Sequence, residues 1–406
     1  MKSLLQVEPF WVLLLGIPIT LAGKLFPIAW HPYWMIALFL FWPLRLLYCR
    51  RLLAATPLNW PVYFIILWLP VNLWAATDSI LSWQTTGYLL FGVALFAACI
   101  NWKQTQEKPL LIATLLITIG FLITLASPLL LTLKPFRLFD LTLYSTLTSI
   151  SLSIGETLHP NVLAGVLILF PPFLITIIFY AGTAVQIWLR YLCSMIGLFM
   201  LVVIGITQSR GGYLGLVVGL LSVFILYRPQ VRYLIVVTLF CAMAFSIWGN
   251  TEKIFEQLSS VGSLGGWEVR LEIWIDSLFA LHDFAFTGIG IGMFTKVVPQ
   301  MFPPRLNIEG YPHAHNLLLQ IGLDLGLPGL IAYISILLNL GVMLVASLRR
   351  STTALERALT VGAAGSLTAM LVHGLLDAVT WGTKFSFAPW LLFAFITNHY
   401  LKIRQA

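Results

Sequence analysis

Between residues 9 and 402 one pattern recurs: an apolar run, then a short polar break that carries isolated lysines or arginines. The runs lie at 9–29, 33–49, 58–76, 80–101, 109–133, 160–181, 186–208, 210–227, 231–249, 315–347, 356–379 and 386–402. A helix needs about 20 apolar residues to cross about 30 Å of hydrocarbon. Because lipid offers the backbone no hydrogen-bonding partner, runs of this kind must become helices. The pattern predicts an all-α, polytopic membrane helix bundle of about twelve transmembrane helices, a single membrane domain over residues 1–406. Pro18, Pro27 and Pro43 interrupt the first two runs and blur their ends.

The scarcity of charge excludes a soluble alternative: 9% of residues are charged, against about 25% in soluble chains, and the mean hydropathy is +0.93. A formal charge of +8 would suggest nucleic acid in a soluble protein, but here the cations stand singly between apolar runs. Positive-inside topology explains them, and no nucleic acid partner is expected. Cys49, Cys99, Cys193 and Cys241 lie in or beside apolar runs without C-x-x-C spacing, which predicts neither disulfides nor a zinc site. The run behind Lys2 mimics a signal peptide but lacks a small-x-small cleavage site, and reads as an uncleaved first helix.

With the N-terminus inside, Lys2, Arg45, Arg50, Arg51, Lys103, Lys108, Arg190, Arg228, Arg232, Arg349, Arg350, Arg357, Lys402 and Arg404, 14 of the 23 Lys and Arg, fall in the cytoplasm. The remainder, including Arg210, Arg270, Arg305 and Lys384, fall outside. This asymmetry places both termini inside. Two connections too long to be turns, 134–159 and 250–314, then face the outer side, where long loops usually carry function. Within the second, residues 266–284 predict a helix lying on the outer membrane surface. Its apolar side is Val269, Ile273, Trp274, Leu278 and Phe279, opposite Glu268, Glu272 and Asp276. The following GIGIG, residues 288–292, lacks a preceding strand and a Gly-Lys-Ser/Thr ending; it reads as a flexible turn and not a nucleotide loop.

Polar residues gather at the outer ends of these runs. His315 and Asn316 stand where a polar loop enters the tenth run, and a histidine near water yet flanked by low dielectric is a candidate general base. Gly322, Gly326 and Gly329 follow at helical spacing, clearing one side for a neighbouring backbone. Arg210, beside Gly211, Gly212 and Gly215 at a helix start, suits a phosphate. Arg270 on the surface helix would complete a pair of guanidinium forks matched to a diphosphate; Arg305 is a weaker candidate. His159, Pro160 and Asn161 open the sixth run, with capping their first role and substrate contact their second. His373 and Asp377, four apart, share a helix face and read as a self-satisfied polar pair, while Asp324 faces the same region two turns into its helix. His313, His315 and His159 lack the i, i+4 pair of a helical zinc site, so no metal is expected.

Four stretches together, SRGGYLGL at 209–216, the RLEIW segment, GIGIGMF and HAHNLLLQIGLDLGLPG, resemble the O-antigen ligase and O-antigen polymerase superfamily of bacterial membrane glycosyltransferases. The resemblance runs from His159 through Leu348 and is closest at His315, Asn316, Gly326 and Gly329. It implies a C-type glycosyltransferase-like bundle in the bacterial inner membrane, with a large loop and active site facing the periplasm. Such enzymes take glycan from an undecaprenyl-diphosphate-linked donor and pass it to a lipid or glycan acceptor, the lipid A-core of lipopolysaccharide in ligases or another lipid-linked unit in polymerases. They need no cofactor, metal or nucleotide. Carried onto this chain, the catalytic histidine is His315 and the diphosphate-binding arginines are Arg210 and Arg270; apart from the resemblance, His313, Asn316, His159 and Asn161 are candidate substrate contacts at the outer helix ends. Relatives in photosynthetic bacteria with the same signature have been described as inorganic-carbon transporters. The alternative is therefore a carrier of a small anion such as bicarbonate, which should show broken helices meeting at the bilayer midplane.

Overall fold

The computed structural model describes residues 4–21, 25–130, 158–228, 230, 265–303 and 312–405. The predicted run at 231–249, Arg305, nearly all of the connection 134–159 and residues 250–264 and 304–311 of the second connection lie outside these residues.

Sixteen α-helices are described. In chain order they are α1 (Glu8–Thr20), α2 (His31–Leu38), α3 (Phe41–Cys49), α4 (Asn59–Ala75), α5 (Ser79–Asn101), α6 (Lys103–Glu107), α7 (Leu110–Leu130) and α8 (Pro160–Leu167). There follow α9 (Pro171–Tyr180), α10 (Ile187–Thr207), α11 (Arg210–Tyr227), α12 (Gly265–Asp283), α13 (Phe294–Met301), α14 (Leu317–Arg350), α15 (Ala354–Gly374) and α16 (Phe387–Gln405). Among the described residues, 8 helical stretches are long and apolar enough to cross a membrane. The other expected runs within the described residues also form helices, but α1 and α4 are shorter, at 13 and 17 residues. The run at 160–181 is divided over residues 168–170, where Phe170 keeps helical angles but Pro171 and Pro172 lack the N–H groups that would continue the ladder.

The interior is built on α5 and α16, each packed along much of its length by other helices. Phe96, Trp390, Phe393 and Phe395 are completely buried there, and since lipid tails are as apolar as these rings, close packing of helix on helix is what holds them. Arg45, assigned to the cytoplasmic surface by charge alone, is instead buried in an ion pair with Glu8 of α1.

α14 is not one continuous helix: Gly326 has φ 69° and ψ 178°. The glycine spacing predicted a clear helix face, but at Gly326 the helix itself opens. Residues 284–292 press into the opening. Ile289 N–H donates to Leu323 O at 2.7 Å, and Leu327 N–H donates to Ala285 O at 2.7 Å. From α4, Trp68 Nε1 donates to Leu325 O at 2.9 Å and Asn72 Nδ2 to Thr287 O at 2.7 Å. GIGIG is thus a packed wedge, contrary to the expected flexible turn. A Cβ at Gly290, whose φ is 95°, would stand 2.7 Å from Ala76 Cα, and Ile289 and Ile291 are buried.

Asp324 sits in the same layer. It accepts from Gly292 N–H and Gln320 Nε2, each at 3.1 Å, and from Trp381 Nε1 at 2.8 Å. It braces wedge to bundle and does not face the polar cluster described below.

At one end of the bundle α15 begins with a Thr353–Glu356 capping box, and His399 Nε2 of α16 lies 2.9 Å from Thr360 Oγ1. Arg349, Arg350, Arg357, Lys402 and Arg404 share that end. The starts of α8, α11 and α14 and the finish of α15 gather at the other.

Candidate active site

The cluster is set by how α14 begins. Asn316 Oδ1 accepts the Leu318 and Leu319 N–H groups at 3.0 and 3.1 Å, an N-cap, and Asn316 Nδ2 donates to Leu375 O at 3.2 Å. The preceding His315 has φ 46°, a left-handed conformation that non-glycine residues rarely adopt and that persists only where the surroundings enforce it. Three bonds enforce it here. His315 N–H donates to His313 Nδ1 at 3.1 Å, Ala314 N–H to Gln320 Oε1 at 2.9 Å, and Trp274 Nε1 of α12 to His315 O at 3.4 Å. The His313 and His315 rings lie with centroids 4.2 Å apart.

Both rings face Asp377, a carboxylate with 3% of its side chain exposed. Its Oδ1 is 3.2 Å from His313 Nε2 and 3.6 Å from His315 Nδ1, and accepts the Ala378 N–H at 2.9 Å. Its Oδ2 accepts Asn161 Nδ2 at 2.9 Å. The expected closed pair of His373 with Asp377 is therefore corrected. α15 ends at Gly374, and although Asp377 N–H still donates to His373 O at 2.9 Å, its side chain turns toward the histidines of another element. His159 caps α8 as expected, its Nδ1 accepting Asn161 N–H at 3.3 Å.

Charge follows from this packing. Burial pushes the His313 imidazole down to about 4; the charge of Asp377 opposes this, while His315, His159 and Arg270 reinforce it. For Asp377, burial alone would raise the carboxyl. The His315 ring and the charges of His313, His315 and His373 outweigh it and hold Asp377 below the usual carboxylate range.

His313, His315 and Asp377 are close enough to hold a cation, their ligand atoms lying within 4.8 Å of one another. The hydrogen bonds argue for proton sharing instead. Since His313 Nδ1 accepts the His315 N–H, the ring proton sits on Nε2, which points at Asp377 and has no lone pair left for a metal.

Arg270, half-buried on α12, is near enough for its charge to act on both His313 and His373. Arg210 opens α11 with an exposed side chain. Its neighbour Gly211 lies against the His373 ring. The helix carrying Arg270 is turned differently from expectation. Asp276 is buried, while Trp267, Leu271, Ile275, Leu278 and Phe279 form the exposed row.

Residues 195–334 match the family model described as O-Antigen ligase. This segment is similar to the O-antigen ligase family. No curated protein matches the chain. The O-antigen ligase segment takes in Arg210, Arg270, His313, His315 and Asn316, and ends inside α14. Asp377 and His373, on which its histidines and glycines close, lie beyond it. The bearing of Asp377 on His315 was not legible from spacing, because that spacing pointed to the wrong histidine. The one local signal was Gly374, which ends α15 three residues earlier.

Proposed function

We propose that the protein transfers a glycan from an undecaprenyl-diphosphate carrier to an acceptor hydroxyl, on lipid A-core or on another lipid-linked glycan, at the periplasmic face of the bacterial inner membrane. The observation that carries this reading is the placement of His315. It sits in an enforced left-handed turn, with Nδ1 3.6 Å from a buried carboxylate, inside the O-antigen ligase segment. With Nδ1 turned to Asp377, the opposite nitrogen Nε2 carries the lone pair and serves as the base. It takes the acceptor proton, and the freed oxygen attacks the anomeric carbon with inversion. Arg270 and Arg210 neutralise the departing diphosphate. His313, neutral above about pH 4, Asn161 and His159 position the carboxylate and the acceptor. Neither metal nor cofactor takes part in this scheme.

The concentration of Arg349, Arg350, Arg357, Lys402 and Arg404 at the far end of the bundle supports a periplasmic site. The alternative of anion transport called for broken helices meeting at the bilayer midplane. α14 is broken, but its freed groups are taken by Ile289, Ala285 and Trp68. That supports transfer over transport.

The test uses purified protein in detergent with lipid-linked glycan and acceptor, without divalent metal. Wild type should transfer glycan, and His315→Ala should stay folded and slow transfer about 10²- to 10⁴-fold, the usual share of general-base catalysis. Full transfer by His315→Ala would remove the histidine from the reaction. No transfer by wild type, with bicarbonate uptake into vesicles, would replace the enzyme with a carrier.

A further inference from the structure

His373 is the one histidine of the cluster that the scheme above leaves without a task. It is 1% exposed, and its Nε2 is buried with no hydrogen-bond partner. Buried polar atoms are nearly always paired, so an orphan of this kind calls for an explanation. The ring lies among three glycines on α8 and α11. A Cβ at Gly165 would come within 2.6 Å of His373 Cε1, and one at Gly215 within 3.2 Å of His373 Cβ, so these two sides are closed. Toward Gly211 there is room: a Cβ there would meet nothing nearer than Cδ2 at 3.6 Å, with Nε2 at 3.8 Å. The unpartnered edge of the imidazole thus faces the first turn of α11.

That turn is itself short of acceptors. Ser209 Oγ takes the Gly212 N–H at 3.2 Å and Ser209 O takes the Tyr213 N–H at 2.9 Å. The Arg210 and Gly211 N–H groups precede any carbonyl of their own helix. Gly211 and Gly212 put no side chain over them, and the positive end of an 18-residue helix lies beneath. The charge of Arg270 reaches the same imidazole. The nearby carboxylate, Asp377, is already engaged by Asn161, Ala378 and the two other histidines. What converges is a set of donors without an acceptor.

We propose that His373 Nε2–H and the Arg210–Gly211 N–H groups form an anion cradle that holds a phosphate of the lipid diphosphate substrate. This rests on the glycan-transfer reading and adds to it a neutral donor and a backbone contact beside the two arginines. The imidazole carries its proton on Nε2 and gives it as a hydrogen bond to a phosphate oxygen. With no side chain on Gly211, only backbone of the first turn of α11 stands beside the imidazole.

The experiment measures binding of geranylgeranyl diphosphate, and of geranylgeraniol as a probe of the chain alone, to the full-length protein in nanodiscs. His373→Phe keeps the volume and removes the donor, and should weaken diphosphate binding about tenfold or more while leaving geranylgeraniol unchanged. His373→Gln restores a donor and should recover much of the loss. Should His373→Phe fail to fold, Gly211→Ala provides an independent variant. Its new methyl meets Cδ2 at ordinary contact distance, so the fold is kept, yet it narrows the gap and should also weaken the diphosphate alone. Diphosphate binding at wild-type strength in His373→Phe, or in Gly211→Ala where the first does not fold, overturns the cradle and leaves the glycan-transfer reading standing. Absence of diphosphate binding by the wild type overturns both.

Discussion

Two carboxylates hang from the neighbourhood of α14, and they are treated differently. Asp324, in the layer of the Gly326 break, meets three donors at 2.8–3.1 Å, each from a different part of the chain. Asp377, at the mouth, meets Asn161 and Ala378 closely but stands 3.6 Å from His315. Around it, His315 Nδ1 and His373 Nε2 are buried without a hydrogen bond. A saturated buried network stabilises one arrangement of helices, whereas a partly unsaturated one holds capacity in reserve for something that arrives later. The lower layer is architecture and the mouth is where chemistry is expected.

Substitutions can break that contrast or sharpen it. The largest effect on activity should come from His315→Ala, with a loss of about 10²- to 10⁴-fold and little change in thermal stability. Its counterpart below, Asp324→Ala, should do the reverse. Three buried donors would be left unpaired at about 1–3 kcal/mol each, so folded protein recovered from membranes should drop sharply, measured by size-exclusion chromatography. Equal loss of fold in both variants would erase the distinction.

Asp377→Asn should fall between them. The amide fills the same space but removes the charge that orients His315, and transfer should slow about 10- to 10³-fold in an otherwise folded protein. Arg270→Lys should cost nearly as much, because lysine keeps the charge and loses the fork. Wild-type transfer rates in both variants would return the mouth to a structural role.

The smallest effect is a pH dependence. Burial lowers His313 from its ordinary 6.5 to about 4, so between these values the unfolded chain binds a proton that the folded chain refuses. Stability is therefore full above pH 6.5 and declines as pH falls toward 4. With 25% of the His313 side chain exposed, the decline should be about 1 kcal/mol. Comparing thermal melts of wild type and His313→Gln from pH 7 to 4 would reveal it as a gap that closes at the acid end.

Much of this could be read in the chain beforehand. Apolar runs such as 80–101 and 186–208 have one solution in lipid, and α5 and α10 occupy them to within a residue or two at each end. His315, Asn316 and Arg210 were marked by standing at run ends, and Arg270 by its place in the RLEIW segment of the long connection. The orientation of α12 was not legible, since its helical period is satisfied by either of two faces and contact with α14 selects the one that buries Asp276. Nor was the wedge, because GIGIG announces only that the backbone is free to bend. What it bends against is Ala76, Thr85 and Leu323, all distant in sequence.

The Asp324 brace also bears on how such a chain is made. Synthesis runs from the N-terminus, so Gly292 and Gln320 are in place when Asp324 enters the bilayer, but Trp381 follows 57 residues later. Until α15 has been threaded and the turn before α16 has emerged, one oxygen of that carboxylate faces hydrocarbon or a neighbouring helix without its indole partner, an expensive interim in lipid. α14 therefore enters the membrane as a provisional helix and acquires its final form only when nearly the whole protein exists. Quality control that inspects exposed intramembrane charge would read Asp324 as the mark of an unfinished molecule.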